Sequence, residues 1–243
     1  MSLKFRTSIL LIAMLLVCAF IVQPVSSQEV LTASETPSDF EQGLIDALNS
    51  KSNILTTDTI ITDYFEKNQV STDYIKKDST SSKTISLRTY ELNDGSYISF
   101  PNDNFFFISD IKETENTSIV TKSTSRTSDI LASRAVYSKY GGQKVYTLYT
   151  QGYFTYDGET VDAHLLNSWY KKEFLAAAIW KVSNWEKGTY EYSSGTTSKF
   201  YGRGNFEWGL YISGYGLTLG DYYNELYVVG DEDGDYIIAF DSY

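Results

Sequence analysis

The chain has 243 residues, 42% of them apolar, 16% aromatic and 21% charged, a balance that fits a folded globular protein and excludes a disordered or collagen-like one. Asp and Glu number 31 against 20 Lys and Arg, a formal charge of −11. No basic face is then available for duplex nucleic acid or an anionic membrane surface. The length allows one large β domain or two small ones.

Lys4 and Arg6 precede an uncharged apolar run from Ile9 to Val22, and Val25-Ser26-Ser27 follows. That order reads as a secretory signal over residues 1–27, cut before Gln28. The run is short for a membrane-spanning helix of about 20 residues. Leu15-Leu16-Val17-Cys18 resembles a lipobox, but Val17 is too large for its position and the run continues past Cys18. Cleavage removes Lys4, Arg6, the only Cys and both Met residues, taking the charge from −11 to −13 and leaving a chain without sulfur. A secreted, extracellular chain of this kind has no disulfide and relies on its core. No membrane span is expected after cleavage.

Residues 28–37 are polar and read as a disordered leader. Ser38-Asp39-Phe40-Glu41 is a capping box. Phe40, Leu44, Ile45 and Leu48 continue it at helical spacing to about Asn49, and a weaker helix is expected over 58–67. The period then shortens to two. Thr84–Leu92 and Ser96–Phe100 flank the turn Asn93-Asp94-Gly95 as a hairpin, and Phe105–Ile108 reads as a third strand. Residues 38–110 are thus expected to form a small α+β region. The Ser/Thr-rich stretch 111–135 reads as a solvated linker.

Residues 136–243 hold most of the tyrosines and all four tryptophans. Between Lys144 and Tyr156 two faces separate, Tyr146, Leu148, Phe154 and Tyr156 on one, Thr147, Tyr149, Gln151 and Tyr153 on the other. Asp157-Gly158 is a hairpin turn. Phe174–Trp180 is read as a strand despite its three alanines. Leu226–Val229 and Tyr236–Phe240 flank a closing turn at 230–234. Strands with turns about every ten residues predict an antiparallel β-sandwich over 136–243, so the fold class is mainly β.

Three segments carry a resemblance: Leu92-Asn93-Asp94-Gly95-Ser96-Tyr97, Gly152-Tyr153-Phe154-Thr155-Tyr156-Asp157-Gly158 and Trp180-Lys181-Val182-Ser183. Together they resemble a class of uncharacterised exported proteins of Gram-positive bacteria with a C-terminal β-sandwich, although many of those sandwiches contain cysteines. The resemblance implies the fold and no known activity.

Chemistry-bearing patterns are sparse. His164 is the only histidine. Asp162 would share its strand face, but no nucleophile motif accompanies the pair and no second His or Cys offers zinc ligands. No catalytic residue, metal site or cofactor is assigned. Asp231, Asp233 and Asp235 match no calcium-loop spacing, although hairpin turns favour Asp for conformational reasons, and calcium binding there is left open. Glu207 and Glu186 lie on strands and keep a glycoside hydrolase with paired carboxylates as an alternative.

The aromatic load is the strongest signal. Buried Tyr must place its hydroxyl on a partner, so many tyrosines imply some exposed rings, where flat faces stack on sugars or anchor protein contacts. Cross-strand pairing within the sheets is the competing explanation. The expected role is a secreted, non-enzymatic binding or interaction protein for a glycan or an extracellular protein, with Trp169, Trp185, Trp208 and Tyr211 as ligand-binding candidates. A toxin or bacteriocin-like precursor with a removable N-terminal region, residues 28–134, is a further alternative.

Overall fold

In the computed structural model the residues described are 36–50, 55–68, 88–101, 105–114, 124–173, 179–192, 195–212 and 215–242, with backbone alone over 210–219. The expected signal, most of the leader and Phe174–Ala178 lie outside them.

Helix α1 (Asp39–Asn49) opens with the expected capping box. The Glu41 amide donates to Ser38 Oγ (3.3 Å) and the Ser38 amide to Glu41 Oε2 (3.0 Å), satisfying two donors that the first turn would leave unpaired. Glu41 also takes an ion pair from Arg88 at 2.6 Å, which ties the helix start to the first strand. Helix α2 (Thr57–Lys67) is capped by Thr56, whose Oγ1 accepts from the Thr59 amide.

The strands form two antiparallel sheets. The first contains β1 (Arg88–Glu91), β2 (Tyr97–Phe100), β3 (Phe105–Thr114), β5 (Asp129–Ser138), β6 (Lys144–Tyr156) and β7 (Val161–Lys172), side by side in that order. The two-residue β4 (Ser125–Arg126) also pairs with β6. The second sheet runs β11-β10-β9-β8, from β8 (Trp180–Glu191), β9 (Thr197–Ile212), β10 (Tyr215–Asp231) and β11 (Tyr236–Ser242). The expected turns at Gly95, Gly158 and Gly234 all take positive φ, 82°, 86° and 88°.

Alternation along the strands divides the apolar residues between two cores. Phe107, Ile130, Ala132, Val136, Tyr146, Leu148 and Phe154 face the second sheet and meet Phe200, Phe206, Leu226 and Val228. On the other face of the first sheet, Ile98, Phe100, Phe106, Ile108 and Tyr137 receive Leu44, Ile45, Leu48, Ile60, Ile61 and Phe65 of the helices. The molecule is mainly β, a sandwich with a small helical layer preceding and covering part of one sheet.

The stretch expected to be a linker is largely sheet. Ile111–Thr114 close β3, Asp129–Arg134 open β5, and the two run in register from Thr114↔Asp129 to Phe105↔Ser138. Residues 115–123 lie outside the described ones. The composition misleads because Ser and Thr suit strands and few inward positions need a large residue. Ile130 and Ala132 fill two. Arg134 fills a third, its guanidinium 3.7 and 3.8 Å from the ring centroids of Phe107 and Phe240. The regions 38–110 and 136–243 therefore share one continuous sheet.

Candidate binding face

Strand register fixes which side chains stand together on the helix-side face of the first sheet. Under the helices lie Phe106 beside Tyr137, and Ile108 beside Ala135 and Thr147. The next rung reads Asp110, Ser133, Tyr149 and Trp169 across β3, β5, β6 and β7. The one after it reads Lys112, Leu131, Gln151 and Asn167. None of these eight residues is buried.

The border between the covered and uncovered parts is a polar clamp. Asp58, in the first turn of α2, accepts from Tyr137 Oη (2.6 Å) and Lys144 Nζ (2.5 Å). Burial pushes the Asp58 carboxyl up. The bonds from Lys144 and Tyr137, with the charges of Lys144 and Lys171, outweigh that and hold it below its usual 3.8. Burial and the Asp58 carboxylate together raise the Tyr137 hydroxyl well above its ordinary value.

Past this clamp the aromatic rings stack in two ranks. Tyr149 and Trp169 lie parallel across β6 and β7, with centroids 4.9 Å apart and planes at 11°. Tyr153 and His164 do the same at 4.6 Å and 15°. The Arg126 guanidinium sits 3.7 Å from the Tyr153 centroid and is held by Asp129 at 2.5 Å. Tyr153 is therefore flanked by two groups. Trp169 stands on β7, which pairs only with β6 among the described residues. A one-residue bulge separates the ranks: β7 carries Leu166 as an extra residue between the partners of Gln151 and Gly152, and Leu166 is 50% exposed.

Trp169 is half-buried and belongs to this face. Trp185 packs instead against the sandwich core, edge-on to Tyr170 (5.0 Å) and Phe206 (6.4 Å). Trp208 also packs against that core. The Tyr211 side chain lies outside the described residues; its backbone pairs with Gly216. The structure thus separates the candidates and brings Trp169 together with Tyr149, Gln151 and Asn167. Alternation from Lys144 to Tyr156 had placed Tyr149 and Gln151 on one face. It held no signal for their partners on β7.

No protein-family model, curated protein or solved structure matches this chain.

The other patterns resolve into structural contacts. His164 Nε2 shares a hydrogen bond with Thr155 Oγ1 at 2.8 Å, so the imidazole is engaged by Thr155 and Tyr153. Asp231 Oδ1 accepts from the amides of Asp233 (3.1 Å) and Asp235 (2.9 Å), closing its own turn. Among the described residues no three His, Cys, Asp or Glu side chains gather as a metal site would need. Glu186 is paired with Arg203 at 2.8 Å. Glu207 accepts from Ser183 and lies 3.7 Å from Lys181. The acid opposite it in register, Asp221, is exposed and accepts from Asn205. Glycoside hydrolysis needs one of two carboxyls held protonated by apolar surroundings, and these acids stand beside cations and amides.

Proposed function

We propose that this protein is an exported, non-enzymatic binding protein whose contact surface is the uncovered face of β6 and β7, with Trp169 as its anchor and a glycan as its ligand. The observation that carries this reading is the half-buried Trp169 ring, braced flat against Tyr149 on the part of the sheet that no described helix covers. Bracing lowers the entropy that a mobile side chain would lose on binding. Ser133 and Gln151 on the same and the neighbouring rung offer neutral donors and acceptors, and Asn167, whose Oδ1 accepts from Lys187 Nζ and the Ser168 amide, keeps its amide donors. An aromatic face with amides and hydroxyls beside it, and with Asp110 and Lys112 at its β3 end, suits a polyhydroxylated ligand, and the acidic chain disfavours anionic polymers.

The precursor alternative conflicts with the sheet. Cutting away residues 28–134 would remove β1, β2, β3 and most of β5, uncovering Val136, Tyr146 and Leu148.

A glycan array probed with the wild-type protein and the Trp169→Ala and Gln151→Ala variants tests the proposal. Binding to neutral glycans that weakens about tenfold or more in Trp169→Ala is the expected result. Equal binding by wild type and Trp169→Ala, or none by either, refutes it. A protein ligand lost in the same variant would keep the surface and replace the ligand.

A further inference from the structure

An edge strand exposes unpaired backbone groups, and folded proteins blunt such edges with short strands, bulges, charges or covering elements. Three edges of this molecule follow that rule. The β1 edge is four described residues long, with Arg88 tied to Glu41. The β7 edge carries the Leu166 bulge, and its Val161 amide donates to the Gly195 carbonyl while the Ala163 amide donates to Ser198 Oγ. The β8 edge breaks register between Ser183 and Glu186, with Asn184 at φ 52°, and carries Lys181, Glu186 and Lys187.

Among the described residues the β11 edge has neither a bulge nor a covering strand, and its one charged residue is Asp241 near its end. Tyr236–Ser242 pairs with β10 through seven unbroken register positions and with no other described strand. It contains no Lys, Arg or Pro, Ile237–Phe240 is apolar without interruption, and the Tyr236 hydroxyl donates to Glu113 of β3. Ile237 is 58% exposed. Ile238, on the sandwich side, stays partly open, whereas Val228, opposite it on β10, is fully buried. The edge thus offers a straight run of backbone donors and acceptors with apolar side chains on both faces.

We propose that this β11 edge takes up an extended segment of another protein by strand addition. Main-chain hydrogen bonds supply affinity in that mode, and alternate side chains supply selectivity. The chemistry of the guest follows from the flanks. The preceding turn, Asp231-Glu232-Asp233-Gly234-Asp235, is acidic, with Asp233 and Asp235 exposed. An antiparallel guest would run its C-terminal side past that turn. It would therefore carry Lys or Arg there, after a stretch of alternating apolar residues that rest on Ile237 and Ala239 outside, and on Ile238 and Phe240 within. A second copy of this chain fits poorly. Its net charge of −11 repels it, and antiparallel self-pairing centred on Ile238 would set Asp235 against Asp241.

Two synthetic peptides test this, each with alternating Val and Thr, one ending in two Lys and one in two Asp. Binding is read by fluorescence anisotropy and by amide hydrogen exchange of the full chain. The Lys-ended peptide is expected to bind and to protect β11 amides, and the Asp-ended one to bind about tenfold more weakly. Ile237→Lys with Ala239→Lys should abolish binding without moving the thermal midpoint, because both positions face outward. Asp233→Lys with Asp235→Lys should invert the preference between peptides, a test that holds even if the first variant is unstable. The proposal is overturned by equal affinity for both peptides, by no binding, or by protection at β7 or β8. A concentration-dependent dimer lost on Ile237→Lys would also overturn it, since a second copy would then be the occupant.

Discussion

One face of the seven-stranded sheet carries two different surfaces. Beneath the helices its rungs are Phe106, Ile108 and Tyr137, all but sealed from solvent. Two rungs further along the same strands it carries Tyr149, Trp169, Gln151 and Asn167, none of them buried. Backbone geometry and strand period are the same in both places. The difference is chemical: apolar rings and aliphatics where a helix covers the sheet, with the Tyr137 hydroxyl held by Asp58 at the border, and rings or amides with a polar handle where none of the described helices does. Tyr and Trp tolerate one wet side, so aromatic content alone says little about exposure until register shows what covers each rung.

The contrast breaks first at Phe106. Its ring is fully buried and stacked between Phe65 (5.7 Å), Phe100 (6.0 Å) and Tyr137 (5.2 Å). Phe106→Ala is expected to cost about 3–5 kcal/mol in urea unfolding, enough to loosen both helices. A loss below about 1 kcal/mol would mean that the helical layer contributes little to holding the sheet.

Gly152 tests the geometry of the uncovered half. A β-carbon there would collide with the His164 carbonyl and lie 2.9 Å from the Phe200 ring, so neither side can yield easily. Gly152→Ala should cost about 1–3 kcal/mol and shift the β6–β7 register at the bulge. NMR contacts between Tyr153 and His164 should then weaken while those between Tyr149 and Trp169 persist. Unchanged contacts in both ranks would show that the bulge does not set their spacing.

Much of this architecture was legible in the chain because the relevant signals are local. Ser38 and Glu41 are three residues apart, Gly95 and Gly234 need only their own turns, and the two faces of Lys144–Tyr156 follow from alternation. The misreadings share a cause, contacts made far along the chain. Arg134 looks like a solvated linker residue until Phe107 and Phe240 are brought to either side of it. Trp185 and Trp208 look like free rings until the second sheet closes over the first. Trp169 could be nominated as a binding residue. Its brace Tyr149 could not, because their pairing depends on a register that the bulge at Leu166 adjusts.

Trp169→Ala gives a smaller effect than either core change. One ring face lies on Tyr149 and the rest is half-wet, so the expected loss is about 1 kcal/mol in unfolding free energy. Equal losses in Trp169→Ala and Phe106→Ala would erase the distinction between the two surfaces and assign Trp169 to the core.

The smallest effect lies at the border and depends on pH. Asp58 has a carboxyl held below 3.8 in the folded chain by Lys144 and Tyr137 against the opposing pull of burial. A depressed folded value means that the carboxylate adds stability above 3.8, and that this contribution is lost as pH falls through the folded value. The side chain is 49% exposed, so solvent screening keeps the contribution below about 1 kcal/mol. Wild type should therefore exceed Asp58→Asn in thermal midpoint by a constant small margin at neutral and mildly acidic pH. That margin should close as pH drops well below 3.8, because the protonated acid and the amide are then alike in charge. A margin independent of pH would mean that the amide fails for its shape, and that α2 is anchored at its start by packing instead of charge.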